Sequence, residues 1–483
     1  MIWCTIIRVK FIGGRIAMST TAKSRRFTEG PLFFKIFLFV IPIILSGVLQ
    51  ICYNLADHIV IGQFSGDEYA LGAVGCTTSL TSLMTNMLIG LSAGAGVVIA
   101  QRYGAKDDKR LSYTLHTSIT LSVIAGLLFM LIGLLACSPA LKLMGTQDVF
   151  FDKALLYVRI ICIGIPASSI YNFGASALRA VGDSKTPLVI LTITGAMNVL
   201  FNLFFVIVCG MSVDGVAYAT IIAQYSSAVA VIAVLMHKKN EVYGLNIKKL
   251  GIHTQSLLQI LRYGIPIGLQ SSLFAISNVI ITSAINTFPP EVVNAKTIAS
   301  NIDAILYASI NSYLHASTTF CAQNYGAKKL DRVKKSVIYS LIQATAVGIF
   351  IGAILLTFAR SAAGIFISDA DPAKDIVIEQ VLNIMAVLTP LYFLAGVQEA
   401  LSGALRGLGH SVLPTIMSIV GICGLRMFWV LVLINYPPFD TIQGVFLCYP
   451  VSWAITAIAV GTALIIIYKK SKKALAASGE LVS

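Results

Sequence analysis

Apolar residues run through this chain in long blocks, and polar or turn-forming residues break them at regular intervals. A helix that crosses a bilayer needs roughly 20 consecutive, mostly apolar residues. Twelve stretches meet that need: 33–61, 70–100, 112–137, 155–178, 187–209, 214–236, 257–286, 292–322, 335–358, 377–403, 412–434 and 443–468. The breaks are rich in turn formers, as at Ser65-Gly66-Asp67, Gly182-Asp183-Ser184, Pro289-Pro290 and Pro437-Pro438. No polar stretch is long enough for a separate soluble domain. The pattern predicts an all-α integral membrane protein with twelve transmembrane helices.

The blocks also repeat. Ala177-Leu-Arg-Ala-Val-Gly-Asp-Ser-Lys-Thr-Pro187 returns as Ala404-Leu-Arg-Gly-Leu-Gly-His-Ser-Val-Leu-Pro414, an offset of 227. Gln101-Arg-Tyr-Gly-Ala-Lys106 returns as Gln323-Asn-Tyr-Gly-Ala-Lys328, an offset of 222, and Asn54 falls on Asn278 at 224. Near-constant offsets imply a duplication of six helices. An even number of crossings gives both halves the same orientation, related by an axis along the membrane normal. The expected organisation is a segment 1–32, a pseudo-symmetric pair of six-helix lobes at 33–236 and 257–468, a linker 237–256 and a basic tail 469–483.

Composition agrees. Of 483 residues 57% are hydrophobic and only 12% charged, where a soluble domain carries about 25% charged residues. The net charge of +14 is dispersed among short loops, which argues for membrane topology rather than a nucleic-acid partner. Loops on the side shared with both termini carry 26 Lys and Arg, against 4 on the other side, so both termini are expected in the cytoplasm. The nine cysteines form no CxxC pair and read as packing residues, and the six histidines show no HExxH or HxxxH pattern. There is no GxxxxGK[ST] loop, so an ATP motor, an enzymatic activity and a bound cofactor are not expected. Residues 1–17 fit neither a signal peptide nor a spanning helix; they read either as a basic amphipathic anchor or, the favoured expectation, as sequence upstream of a true start at Met18.

Polar residues inside the apolar blocks carry the candidate chemistry. On the first helix Ser46, Gln50, Asn54 and Asp57 follow at spacings of four, four and three, which places them on one face. Pro42 removes a backbone donor and predicts a bend or flexible point. A carboxylate at membrane depth costs at least about 2.5 kcal/mol, so Asp57 is expected to face a bundle interior or wet cavity. The alternative places it in the outer headgroup layer, near the Gly66-Asp67-Glu68 loop. Tyr53, Asn54 and Asp57 are expected to converge with Tyr171, Asn172, Asn198 and Asn202, either around a site or as hydrogen bonds between packed helices. In the second half Lys296, Asp303, Glu399 and Arg426 are the intramembrane charges, two of each sign, and internal pairing is expected. Tyr53, Tyr171, Phe274 and Tyr392 offer faces for organic cations. Arg179-Ala-Val-Gly-Asp183 with Lys185, and Asp107-Asp108-Lys109-Arg110, read as turns and caps.

Over residues 30–470 the chain resembles the multidrug and toxic compound extrusion (MATE) transporters. The resemblance rests on Asn-Leu-Ala-Asp at 54–57, Gln-x-Tyr-Gly-Ala-Lys after the second and eighth helices, and Ala-Leu-Arg-x-x-Gly-x-Ser before the fifth and eleventh. It implies two lobes facing each other in a V around a central cavity. It also implies antiport, a cationic or amphipathic compound leaving a bacterial-style cytoplasmic membrane while H⁺ or Na⁺ enters. Asp57 stands where the family's first-helix acid stands, with Asn54, Asn172, Asn198 and Asn202 as its expected ion-coupling neighbours. The Na⁺-coupled branch tends to use acids in the seventh and tenth helices; here 257–286 has none and the tenth offers Glu399. Gln50, Tyr53, Tyr171, Gln270, Asn278 and Glu399 are the substrate-cavity candidates. The expected partners are small organic cations or amphipathic drugs and the lipid bilayer, with the chain acting as a monomer. A flippase for lipid-linked sugar precursors needs a cationic groove, whereas the cavity candidates are mixed or acidic. A channel is the rival of a different class.

Overall fold

A computed structural model describes residues 27–67, 69–367 and 372–477. The expectations for residues 1–17, and for the last part of the tail, lie outside them. Among the described residues there is no strand, and helices correspond to all twelve apolar blocks. The first six are α1 Leu32–Phe64, α2 Ala70–Ala105, α3 Asp108–Leu143, α4 Asp148–Ala180, α5 Lys185–Val208 and α6 Val213–His237. The second six are α7 Thr254–Ile285, α8 Pro290–Gly326, α9 Leu330–Thr357, α10 Lys374–Gly407, α11 Val412–Asn435 and α12 Ile442–Ala477. Helix α10 is bent by 43° between arms Lys374–Leu391 and Phe393–Gly407, and a short helix Ala359–Gly364 precedes it. Pro390 supplies the break, since proline removes a backbone donor. By contrast α1 runs on without interruption through Pro42. Helix α8 is the least apolar, with Glu291, Lys296 and Asp303 in its 37 residues.

The first half of each leading helix packs on the opposite bundle. Phe27, Ile36, Phe39 and Val40 lie against Tyr313, Ala316 and Phe320 of α8 and Ala344 of α9. Conversely Leu257, Ile260 and Leu261 of α7 join the core formed by α2, α3 and α4. Packing therefore does not divide the chain at residues 33 and 257. Each leading helix crosses the seam near its middle and returns to its own bundle: Tyr53 of α1 packs against Gly195 of α5, and Ile281 of α7 enters the core with Ile298 and Ile302 of α8. Glycines permit the crossing. At Gly90 and Gly94 of α2 a Cβ would collide with the backbone of Gly268 and Gly264 of α7.

The duplicated loops lie at one face, called here the basic face. Lys106 and Lys328, equivalent in the repeat, end α2 and α8 in the left-handed conformation, with φ of 58° and 60°. Their backbone N–H groups turn back onto the final carbonyls of the helix, Tyr103 and Tyr325 included. After α4, Asp183 accepts from the Thr186 backbone N–H at 3.1 Å and hydroxyl at 2.9 Å, and pairs with Lys238 at 2.9 Å. This fits the expected turn and cap. On the other face Asp67 meets Lys153 of α4 at 2.6 Å and accepts from the Ser212 hydroxyl at 2.9 Å, which ties the α1–α2 loop to the starts of α4 and α6.

Burial pushes the Asp183 carboxyl up, but Lys238 and the Thr186 bonds outweigh it and hold it below the usual carboxylate range. A carboxyl lowered in the folded state adds stability above its unfolded value near pH 4 and loses it as the pH falls through the folded value. Lys238→Met removes the Lys238 counter-charge from the buried Asp183 and is expected to cost about 3 kcal/mol. Thermal unfolding in detergent at neutral pH checks this, and the gap to the unsubstituted chain should close below pH 4.

Candidate functional site

Within the first bundle α1 and α5 bring together the two residues that matter most. Asp57 accepts a hydrogen bond from the Asn202 side-chain N–H. Asn202 is fully buried, and its other polar atom, Oδ1, has no partner among the described residues. Two residues after Asn202 the chain turns into a wider π-helical segment, Phe204–Val208, as often happens beside functional positions. Tyr157 of α4 stands close enough to feel the Asp57 charge.

The other expected members of this cluster stand apart. Asn198, one turn before Asn202, donates to the Thr220 hydroxyl at 3.4 Å. Asn172 donates to the Ser168 carbonyl of its own helix at 2.9 Å, so it serves α4 rather than Asp57. The hydroxyl of Tyr171 donates to the Pro187 carbonyl and that of Tyr53 to the Thr192 carbonyl, both at 3.2 Å. Gln50 and Asn54 are exposed. Asn198, Asn172, Tyr171 and Tyr53 thus satisfy their polar groups on a nearby carbonyl or hydroxyl, a local choice that spacing does not reveal.

In the second bundle the expected charge pairs do not form. Lys296 donates to the Thr282 hydroxyl at 3.0 Å, and Asp303 accepts from the Tyr392 hydroxyl at 2.9 Å. Arg426 donates to the Ser452 hydroxyl at 3.0 Å and lies over the Tyr449 ring, 4.0 Å from its centre. Trp453 contacts both Tyr392 and Tyr449, so an aromatic wall separates Asp303 from Arg426. A guanidinium on a ring face is stabilised without a carboxylate, which is why counting charges overstates ion pairing here. Asn278 faces an open groove of about 300 Å³ with Thr282 and Asn286, while Phe274 packs on the core.

Glu399 is buried, faces no hydrogen-bond or ion-pair partner among the described residues, and feels the charge of Arg406 two turns along α10. Gln270 is buried rather than open to a substrate: its carbonyl oxygen accepts from Arg406 at 3.0 Å and from the Thr415 hydroxyl at 3.1 Å. Arg406 and its repeat equivalent Arg179 both line a cavity of about 40 Å³ between the two bundles, with His315 and Thr318 of α8 and Ser176 of α4. Arg179 thus points into the seam instead of belonging to the turn that follows it. The charged residues on the cavity walls are the two arginines, and none of the six substrate-cavity candidates lines it.

Below that cavity the basic face is closed by a two-fold pattern. Gln101 donates to the Gly407 carbonyl at 2.9 Å, and Gln323 donates to the Ala180 carbonyl at 2.7 Å. Beside them Gly104 meets the Gln323 backbone, and Gly326 meets the Gln101 backbone, so closely that a Cβ at either would overlap a carbonyl oxygen. Arg102 fixes the start of α7 to α2, reaching Ser256 at 2.9 Å and Gln259 at 2.7 Å. None of Gln101, Arg102, Gln323, Arg179 or Arg406 was a site candidate on sequence grounds. The signal was present in the exact recurrence of Gln-x-Tyr-Gly-Ala-Lys and Ala-Leu-Arg within one chain.

A duplicated set of membrane-crossing helices, meeting at a polar seam with buried charges, defines a two-lobed membrane transport protein. The family model for MatE matches residues 42–204 and 266–432, one match in each repeat, and the chain belongs to the multidrug and toxic compound extrusion (MATE) family. It is 26% identical over 443 residues to the Probable multidrug resistance protein YoeA of Bacillus subtilis, covering 90% of this chain and 94% of that protein. It is 23% identical over 407 residues to the Probable multidrug resistance protein NorM of Thermotoga maritima, covering 82% and 84%. The crystal structure of MATE in the straight conformation has the same fold, with a TM-score of 0.84 at 22% identity, covering 94% of this chain and 100% of that one.

Proposed function

We propose that this chain is a secondary efflux transporter for amphipathic organic compounds, driven by proton entry through Asp57 and working by alternating access of its two lobes. Membership of the MATE family and the relatives named for multidrug resistance support the transport reading. The observation that carries the coupling is the Asp57–Asn202 pair with its orphaned Asn202 Oδ1. An ionised carboxylate accepts from the amide N–H; a protonated one also has an O–H to donate, and Oδ1 is the buried acceptor without a partner. The site therefore accommodates both protonation states through different bonds between α1 and α5. A coupling ion moves the lobes only if it binds the two access states differently, and re-bonding α1 at its outer half is a means of doing so. The closed basic face corresponds to access from the opposite side. A bacterial-style cytoplasmic membrane, cytoplasmic termini and a monomeric unit belong to the same proposal. Vesicles of inverted orientation, loaded with the reconstituted chain, test it. Labelled ethidium should accumulate under a proton gradient; accumulation only under a sodium gradient would replace the coupling ion, and none under either would remove the transport reading.

A further inference from the structure

We propose that the seam cavity between Arg179 and Arg406 is a recognition site for a phosphoryl group, so that the compounds this protein carries include phosphate-bearing amphiphiles. The two arginines are equivalent in the repeat and reach the same cavity from opposite lobes. Arg179 donates no side-chain hydrogen bond among the described residues. Arg406 is 5% exposed, and among the described residues it donates only to Gln270 and its buried Nε has no partner. A guanidinium carries five N–H donors in a planar fork matched to phosphate oxygens, so most of this donor capacity is unused.

Helix capping and charge pairing leave these two arginines unaccounted for. Both sit in the last turn of a helix, where a cation is favoured by the helix dipole. Neither, however, bonds the terminal carbonyls. Those of Ala180 and Gly407 are taken instead by the seam glutamines Gln323 and Gln101. Nor do acids balance the cavity. Glu399 faces Arg406 along α10, but its repeat equivalent beside Arg179 is Asn172, which is neutral. His315, which feels both guanidiniums, adds donor capacity and no negative charge. Of the hydroxyls on the cavity wall, those of Ser176 and Thr318 already donate to the Ser92 and Leu314 carbonyls at 2.7 Å each, which leaves Thr319 to add a donor for a phosphate oxygen.

Size agrees with a head group. A cavity of about 40 Å³ has room for roughly three water-sized groups, enough for phosphoryl oxygens and too little for an organic body. The placement also gives binding a consequence. Each arginine is followed directly by the carbonyl that the opposite lobe's glutamine bonds, so an anion bridging the guanidiniums would brace the closed seam. As a statement about substrates the proposal rests on the transport reading; as a statement about binding it does not.

Calorimetry on the full chain in neutral detergent tests it, with 1-naphthyl phosphate compared with neutral 1-naphthol and cationic 1-naphthylmethylammonium. The phosphate ester is expected to bind at least about tenfold more tightly than either. Arg179→Gln, which breaks no bond in the structure, should melt as the unsubstituted chain does and lose about tenfold in affinity for the ester alone. Arg179→Lys should keep part of it. Inorganic phosphate and dioctanoyl phosphatidic acid, each competing with the ester, separate a soluble organophosphate from a lipid head group; competition by either at Arg179 supports the site. Equal affinity for all three naphthyl compounds, or a preference for the ester that survives Arg179→Gln in a folded chain, overturns it. Gradient-driven ethidium uptake without ester binding would sink this proposal and spare transport. Ester binding without any gradient-driven uptake would do the reverse.

Discussion

Asp57→Asn is expected to abolish gradient-driven accumulation while leaving a folded protein that still binds substrate. The side chain at 57 would still present an oxygen to the Asn202 N–H, so the α1–α5 contact survives the change. What it loses is titration, and with it the capacity to exchange one bonding pattern for another when a proton arrives. Asn202→Leu attacks the same pair from the other side and should also stop coupling, at a larger cost in stability, because it strands the Asp57 carboxyl. Uptake into inverted vesicles, run beside thermal unfolding and equilibrium binding, distinguishes these effects. Substrate accumulation by Asp57→Asn under either a proton or a sodium gradient would reduce Asp57 to a structural anchor.

The second large effect is expected at the seam. Gly104→Val and Gly326→Val each place carbon where a main-chain carbonyl of the opposite lobe lies, and backbone cannot rotate away as a side chain can. Both chains should insert in the membrane, fail to close the basic face and fail to transport. The cavity residue Thr318, replaced by cysteine in a chain otherwise without cysteines, reports the closure. Membrane-impermeant maleimide added from the basic side should label it rapidly in either glycine variant and slowly without them. Gly75→Ala, with open space around it, is the control that should change nothing. Equal protection of Thr318→Cys in all chains would mean that the glycine crossing does not seal that face.

Much of this was legible in the sequence, for identifiable reasons. Length and hydropathy reveal a membrane span because the bilayer imposes both, and all twelve blocks correspond to helices. Asp57 stood out because a carboxylate in an apolar block is costly, and Asn202 followed as an amide at similar depth. Arg179 and Arg406 escaped notice because an arginine beside a turn looks like a loop charge; only the fold shows it aimed inward. Gly104 and Gly326 were visible as a repeated motif, yet their use depends on a partner more than 200 residues away. The pairing expected for Lys296, Asp303 and Arg426 failed because hydroxyls and ring faces satisfy charged groups and carry no charge to count.

The exchanged halves of α1 and α7 bear on how the protein is made. Synthesis proceeds from the N-terminus, so α1 enters the membrane long before the α8 residues Tyr313, Ala316 and Phe320 that cover its first half exist. For Ile36, Phe39 and Val40 the delay is tolerable, because acyl chains are as apolar as the helix they await. Arg102 finds the Arg110 carbonyl and the Thr114 hydroxyl within the first half, but Ser256 and Gln259 arrive only with α7. Until then the core of α2, α3 and α4 lacks Leu257, Ile260 and Leu261. Neither half is therefore a self-sufficient unit, and an expression fragment ending in the 237–256 linker would lack the helix that completes it.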